Sequence, residues 1–345
     1  MENASVKILS EQKVKHLPYQ YIKDEDERPK VPYNVFSREV PVISLANLDR
    51  DKIVEEVRKA CEDWGVFQIV DHGVSPELTS KIMEMAHGFF ALPLEEKMEY
   101  ALQPDKWVGY GNGSFLKDDP FMDWRELIIH RCRPLSCRDS NRWPENPPAY
   151  RETLTAYGNA MVDLVKKLMS LISEGLGLHS RAVEEACGEE AEQKILMNYY
   201  PACPAANMTL GLKRHTDPGT ITVLLQDQVG GLQITRDDGK SWLTVEPIEG
   251  AFVVNLGDQM HVLSNGRFKS ADHQAVVNTT TTRMSIASFH NPAPDSMVEP
   301  LEGLVSDLQP SKFQRYNYKD FYGKKMRQHL FYKEKKLQNI KKLQG

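Results

Sequence analysis

A chain of 345 residues, 41% hydrophobic and 26% charged, has the length and make-up of an ordinary globular protein with a substantial core. Its formal net charge of −5 argues against general nucleic-acid binding, which wants a basic surface. No apolar run reaches membrane-spanning length and Met1–Lys13 has no apolar signal-peptide centre, so the expectation is a cytosolic monomer whose five scattered cysteines are free thiols.

Residues 1–38 are polar and carry the run Lys23-Asp24-Glu25-Asp26-Glu27-Arg28, which predicts a solvated arm laid on the main body. Val40–Leu45 predicts a short strand. Asp49 is placed to cap a helix whose apolar positions Ile53, Val57, Ala60, Cys61 and Trp64 recur at helical spacing. Gly65 ends that helix, and Val66–Val70 predicts the next strand. Ser75-Pro76-Glu77 has the capping hydroxyl, early proline and first-turn acid of a helix start. A long helix is expected over Tyr150–Gly175, behind the Pro147-Pro148 breaker. The first half therefore reads as mostly helical.

From Lys194 the texture changes. Ile195–Tyr200, Thr220–Leu225, Leu232–Thr235, Phe252–Leu256, Gln274–Asn278 and Ile286–Phe289 predict short strands. Turn residues separate them, among them Gly230-Gly231, Asp237-Asp238-Gly239 and Asn265-Gly266. An eight-stranded jelly roll is the natural outcome. Tyr318–Gln344 predicts a Lys-rich helix with a solvated basic face. The expected architecture is mixed α/β: a double-stranded β-helix (jelly roll) core, a helical N-terminal half and a C-terminal helix. Residues 1–150 and 151–345 would form one compact unit.

The chemistry concentrates in the β-rich half. His215-Thr216-Asp217 is followed at a distance by His273. On a strand, residues i and i+2 share a face, so one imidazole and one carboxylate can reach the same ion. A second imidazole then supplies a third ligand and leaves further positions open, the donor set of non-haem Fe(II) oxygenases. An H-x-D tripeptide is common in surface turns, so the reading leans on Arg283-Met284-Ser285. Arginine gives a two-donor fork for a carboxylate and the hydroxyl a third donor. An arginine in an apolar strand needs an anion, either a ligand or an internal carboxylate. Asn198 and Tyr200 offer an amide and a phenol to a keto acid, or are satisfied core groups. His261 is the main competitor to His273 but reads as a hairpin position, and His72 reads as a turn residue. Gly109–Gly113 follows no apolar strand and opens no helix, which speaks against a dinucleotide loop.

The set His215-x-Asp217, His273, Arg283-x-Ser285 and Asn198-x-Tyr200 resembles the plant Fe(II)- and 2-oxoglutarate-dependent dioxygenases. Pro41–Leu45, Trp64–Gln68 and Asp71–Gly73 are similar to the N-terminal module of that family, so the resemblance covers nearly the whole chain. Asp26–Val31, Leu210–Thr220, Gln226–Gln233, Leu263–Lys269 and Asp272–Asn278 resemble its flavanone-acting branch, flavanone 3-hydroxylase and type I flavone synthase. The resemblance implies Fe(II) on His215, Asp217 and His273, and 2-oxoglutarate on Arg283 and Ser285 with help from Tyr200 and Asn198. It also implies O2 as co-substrate and ascorbate as a supporting reductant.

The substrate it implies is a small flavonoid, a flavanone such as naringenin oxidised on its C-ring. The implied pocket is Leu127, Ile129, Phe289 and Asn291, with Leu196 where flavonol and anthocyanidin synthases carry lysine. Trp107–Cys137 and Gly257–His261 depart from the flavanone 3-hydroxylase pattern. That tilts the expected outcome from 3-hydroxylation towards 2,3-desaturation, with 2-hydroxylation as a further outcome. The rival readings are a hydroxylase of another phenolic or hormone, such as salicylate, and a non-catalytic phenolic-binding barrel.

Overall fold

The computed structural model describes residues 5–46, 49–103, 106–112 and 122–326. The first half opens with α1 (Val6–Glu11), β1 (Phe36–Ser37), β2 (Val42–Ser44), α2 (Arg50–Asp63) and β3 (Val66–Val70). It continues through α3 (Pro76–Ala91), α4 (Leu94–Met98), β4 (Gly109–Asn112), β5 (Glu126–Arg133), α5 (Tyr150–Gly175) and α6 (Ala182–Cys187). The expected caps are in place: Asp49 accepts from the Lys52 amide and Ser75 from the Leu78 amide.

The second half supplies β6 (Glu192–Tyr200), β7 (Leu212–His215), β8 (Ile221–Gln226), β9 (Leu232–Thr235), β10 (Leu243–Val245) and β11 (Phe252–Leu256). After these come α7 (Asp258–Leu263), β12 (Asp272–Ala275), β13 (Arg283–Asn291), β14 (Met297–Val298) and β15 (Tyr316–Asn317). The expected C-terminal helix is entered at 318–326. Its remainder, 327–344, lies outside the described residues, as do 113–121 of the stretch Trp107–Cys137. Among the described residues, no helix is long and apolar enough to cross a membrane.

Strands β6 to β13 form the eight-stranded roll. Four of them, ordered β11-β8-β13-β6, belong to the larger sheet, and β10-β9-β12-β7 belong to the smaller one. The first half is less helical than expected. It adds β3 and β2 beyond β11, and β5 and β4 beyond β6, giving eight strands in the larger sheet. The boundary at residue 150 thus crosses a continuous sheet, because β5 pairs with β6. Strand β5 carries no clear strand signal because E-L-I-I-H-R-C-R has charges at buried positions. Those charges are compensated inside: Glu126 pairs with Lys97 at 2.6 Å, and His130 meets the Tyr150 hydroxyl at 2.8 Å.

Alternation gives the larger sheet two different faces. One face, with Phe67, Ile128, Met197, Val223, Val254 and Ile286, packs beneath α2, α3 and α5 in one cluster. The other face turns toward the smaller sheet, where Leu127, Ile129, Leu196, Leu224 and Ala287 meet Leu232, Ile234 and Val245. A large apolar side chain buried this way contributes about 1.5–3 kcal/mol.

The N-terminal arm is partly core rather than solvated. Val6, Leu9, Leu17 and Tyr21 are buried with Trp124, Ala275 and Val277. Lys23, expected on the surface, is buried because Asp123 pairs with it at 2.8 Å and Met122 O accepts from it at 3.0 Å. The five cysteines are free, and all but Cys137 are buried.

Burial pushes the buried histidines His130 and His290 down to about 3 from the ordinary 6.5. Both fold as neutral imidazoles, and the unfolded chain takes up their protons once pH falls below about 6.5. Stability is therefore fully present above pH 6.5 and declines below it, by about 1.4 kcal/mol per pH unit for each histidine. Urea midpoints at pH 7 and pH 5 check this; equal midpoints would contradict it.

Candidate active site

Strands β7 and β12 run antiparallel with His215 directly opposite His273. Register alone thus sets the two imidazoles side by side, ring centroids 4.2 Å apart. Asp217 does not share a strand face with His215, contrary to the alternation expected from the sequence, because β7 ends at His215 and Pro218-Gly219 turns the chain towards β8. The turn brings the carboxylate back to the same place. Its Oδ1 lies 3.7 Å from His215 Nε2 and 3.9 Å from His273 Nε2. Ligand atoms of all three residues lie within 4.8 Å of one another.

Each group is oriented from behind. His215 Nδ1 lies 2.8 Å from Lys213 O, and His273 Nδ1 lies 2.9 Å from Ala271 O. A carbonyl only accepts, so Nδ1 carries the proton and Nε2 turns its lone pair to the centre. Burial, and after it the neighbouring His273, holds His215 well below the usual histidine range, so its imidazole is neutral. Thr222 donates its hydroxyl to Asp217 Oδ2 at 2.6 Å, leaving Oδ1 for the centre. Two imidazoles and one carboxylate suit divalent iron. His261 is not part of this group: it lies on α7 rather than in a hairpin, with Nδ1 2.6 Å from Phe268 O. His72 occupies its expected turn, with Nε2 2.7 Å from Gly250 O.

The inner face of the larger sheet continues from polar to apolar. Arg283 stands opposite Tyr200, and Ser285 stands between Asn198 on β6 and Gln226 on β8. Ala287 comes next, between Leu196 and Leu224, while Leu127 and Ile129 of β5 lie beside Asn198 and Leu196. Arg283 is 2% exposed, with its guanidinium 5.2 Å from the Tyr200 ring centre. It donates to Gln226 Oε1 at 3.0 Å, so its hydrogen bond goes to an amide rather than to an internal carboxylate. Arg283 Nε and Gln226 Nε2 are buried with no hydrogen-bond partner among the described residues. A buried donor left unmet costs about 1–3 kcal/mol. Two such donors beside a serine hydroxyl fit a ligand carboxylate. The turn Gly230-Gly231 closes over this corner: a Cβ on Gly231, which has a positive φ, would stand 2.7 Å from Val276 O and 3.3 Å from Arg283 Cδ.

Sequence reasoning missed three residues here. Gln226 and Thr222 lie on β8 and show their role only through pairing and hydrogen bonding. Arg125, 3% exposed, donates to Asn198 Oδ1 at 2.7 Å, and its charge acts on His215. Asn198 is thus engaged by a cation that no local pattern announces.

Leu127, Ile129 and Leu196 belong to one apolar cluster with Phe289 packed against it. Asn291 sits apart from them, donating to Glu192 Oε2 at 3.1 Å and lying against Gly219, in the turn beyond Asp217. A surface cleft lined by Arg138, Trp143 and Arg151 contains none of these residues.

Comparison with known proteins agrees with this layout. The 2OG-Fe(II) oxygenase superfamily profile matches residues 191–292, and the profile of the non-haem dioxygenase in morphine synthesis N-terminal region matches residues 40–146. A naringenin,2-oxoglutarate 3-dioxygenase of Callistephus chinensis is 51% identical over 310 residues, 89% of this chain and 86% of that one. A flavone synthase of Petroselinum crispum is 49% identical over 345 residues, 95% of this chain and 93% of that one. The crystal structure of JOX2 in complex with 2OG, Fe and JA is similar with a TM-score of 0.85 at 37% identity, covering 92% of this chain and 91% of that one.

Proposed function

The chain belongs to the 2OG-Fe(II) oxygenase superfamily, and from that premise we propose that it oxidises the C-ring of a flavanone with 2-oxoglutarate and O2 as co-substrates. The observation that carries the reading is the order of groups on one sheet face: orphaned carboxylate donors, then an apolar wall, beside the triad. Identity of about half to both a naringenin 3-dioxygenase and a flavone synthase supports the substrate class.

In this reading His215, Asp217 and His273 hold iron. Arg283, Ser285 and Gln226 take the distal carboxylate of 2-oxoglutarate, with Tyr200 beneath the guanidinium and Asn198 steadied by Arg125. The bound iron supplies oxidation of a substrate C–H bond, coupled to conversion of 2-oxoglutarate to succinate and CO2. The protein's part is positioning. The backbone carbonyls of Lys213 and Ala271 aim the imidazoles, and Thr222 aims the carboxylate. Leu127, Ile129, Leu196 and Phe289 exclude water and offer an apolar wall with one aromatic side to a flat ring system; Asn291, held by Glu192 against Gly219, stands outside it. Desaturation and 3-hydroxylation start from the same first hydrogen removal. A shift of the ring by about 1 Å is enough to redirect the second step.

Succinate release measured with naringenin and with salicylate tests the substrate class: naringenin should drive it, and salicylate should leave it at background. The reverse pattern would favour a hydroxylase of a different phenolic. Phe289→Ala is expected to raise the KM for the flavanone roughly 3–10-fold, the worth of one aromatic contact, while leaving the KM for 2-oxoglutarate unchanged. Equal rises in both would take Phe289 out of the substrate wall.

A further inference from the structure

The stretch Gly257–His261 lies against the turn that carries two of the proposed iron ligands. The Asp258 amide donates to Asp217 O at 2.9 Å, and the Gln259 amide to Gly219 O at 3.0 Å. Gln259 Nε2 reaches Pro218 O at 2.7 Å. Only glycine allows this approach at position 257, where a Cβ would stand 2.2 Å from Gly219 O.

The C-terminal segment holds the same turn from another side. Tyr316 on β15 donates its hydroxyl to Gln259 Oε1 at 2.7 Å. Lys325, in the helix 318–326, donates to Thr216 O at 3.1 Å and to Thr216 Oγ1 at 2.8 Å, and pairs with Asp258 Oδ2. Thr216 is the residue between His215 and Asp217. The other oxygen of Asp258 accepts from the Ser270 hydroxyl at 2.9 Å, one residue before Ala271, whose carbonyl orients His273.

We propose that Lys325 is a positioning residue for iron. It clamps the His215–Asp217 turn through Thr216 and, by way of Asp258 and Ser270, ties that turn to the strand bearing His273. Docking of the C-terminal helix and retention of iron are thereby coupled. The inference rests on the assignment of the three ligands to iron. Its physical basis is that β7 ends at His215, so no sheet ladder holds Asp217; beyond the Thr222 hydroxyl, the turn is held by contacts from α7 and the C-terminal segment. Groups that orient metal ligands are typically worth about 10–100-fold in metal affinity. Coupling is reciprocal, so bound metal must also steady the helix that carries Lys325.

Calorimetric titration of the full-length metal-free protein with Mn(II) tests this in wild type, Asp217→Ala, Lys325→Met and Lys325→Gln. Wild type should bind one ion and Asp217→Ala none; a wild type that binds none defeats the ligand assignment itself. Lys325→Met should weaken binding about 10-fold at an unchanged urea midpoint of the metal-free protein. Lys325→Gln, which keeps donors for Thr216, should fall between the two. Mn(II) should slow amide exchange in 318–326 of wild type and not of Lys325→Met. Wild-type affinity in Lys325→Met, with Asp217→Ala silent, overturns the clamp while leaving the centre standing. A parallel loss of metal-free stability would make Lys325 a fold residue and also overturn it. Should Lys325→Met fail to fold, the Lys325→Gln titration decides between the same outcomes.

Discussion

Asp217→Ala is expected to bring iron-dependent succinate release to background and to weaken metal binding by more than about 100-fold, beyond what orienting partners are worth. Asp217 is the only anion among the three converging groups. Without it, two imidazoles face a divalent cation in a buried setting, where an uncompensated charge is costly. Thr222→Val removes only the donor to Asp217 Oδ2, so its effect should be smaller, about 10-fold on metal affinity. Metal titration and succinate release measured on both variants separate the roles. Iron-dependent turnover retained by Asp217→Ala would remove that residue from the centre.

Arg283→Leu should raise the 2-oxoglutarate KM at least about 100-fold, because a hydrogen bond to a charged group is worth about 1.5–3 kcal/mol and a fork makes two. Mn(II) affinity should stay within a few-fold of wild type, since Arg283 touches no proposed ligand of the metal. The guanidinium is buried over Tyr200 and its Nε has no partner among the described residues, so a bound carboxylate would satisfy a donor already held in place. Gln226→Leu deletes one orphaned donor and should have roughly a 10-fold effect, about 1.4 kcal/mol. The two effects will not simply add, because Arg283 loses its own acceptor in the Gln226 variant. A 2-oxoglutarate requirement unchanged in Arg283→Leu would contradict the carboxylate site.

Much of the fold and the site is legible in the chain. The strand-rich half, the two histidines and the Arg283/Ser285 pair emerge from residue type and alternation, which are local. The parts that stay hidden are mostly set by pairing. Alternation tells which residues of a strand share a face but not which strand lies alongside, so Gln226 and Arg125 give no sign of joining the carboxylate corner. The placement of Asp217 by a turn rather than a strand reflects the Pro218-Gly219 break. Strand β5 gives no clear signal and Lys23 misleads because charge suggests exposure, whereas Lys97 and Asp123 compensate those charges inside. The clamp by Lys325 joins residues that are far apart in sequence, beyond the reach of any local pattern.

The mass of the product formed from naringenin by the full-length enzyme with Fe(II), 2-oxoglutarate and O2 tests the central claim most directly. The account predicts one succinate per product and a flavonoid changed on its C-ring, either by loss of two hydrogens or by gain of one oxygen. Naringenin recovered unchanged, under conditions where Mn(II) binding and 2-oxoglutarate binding are intact, would contradict it.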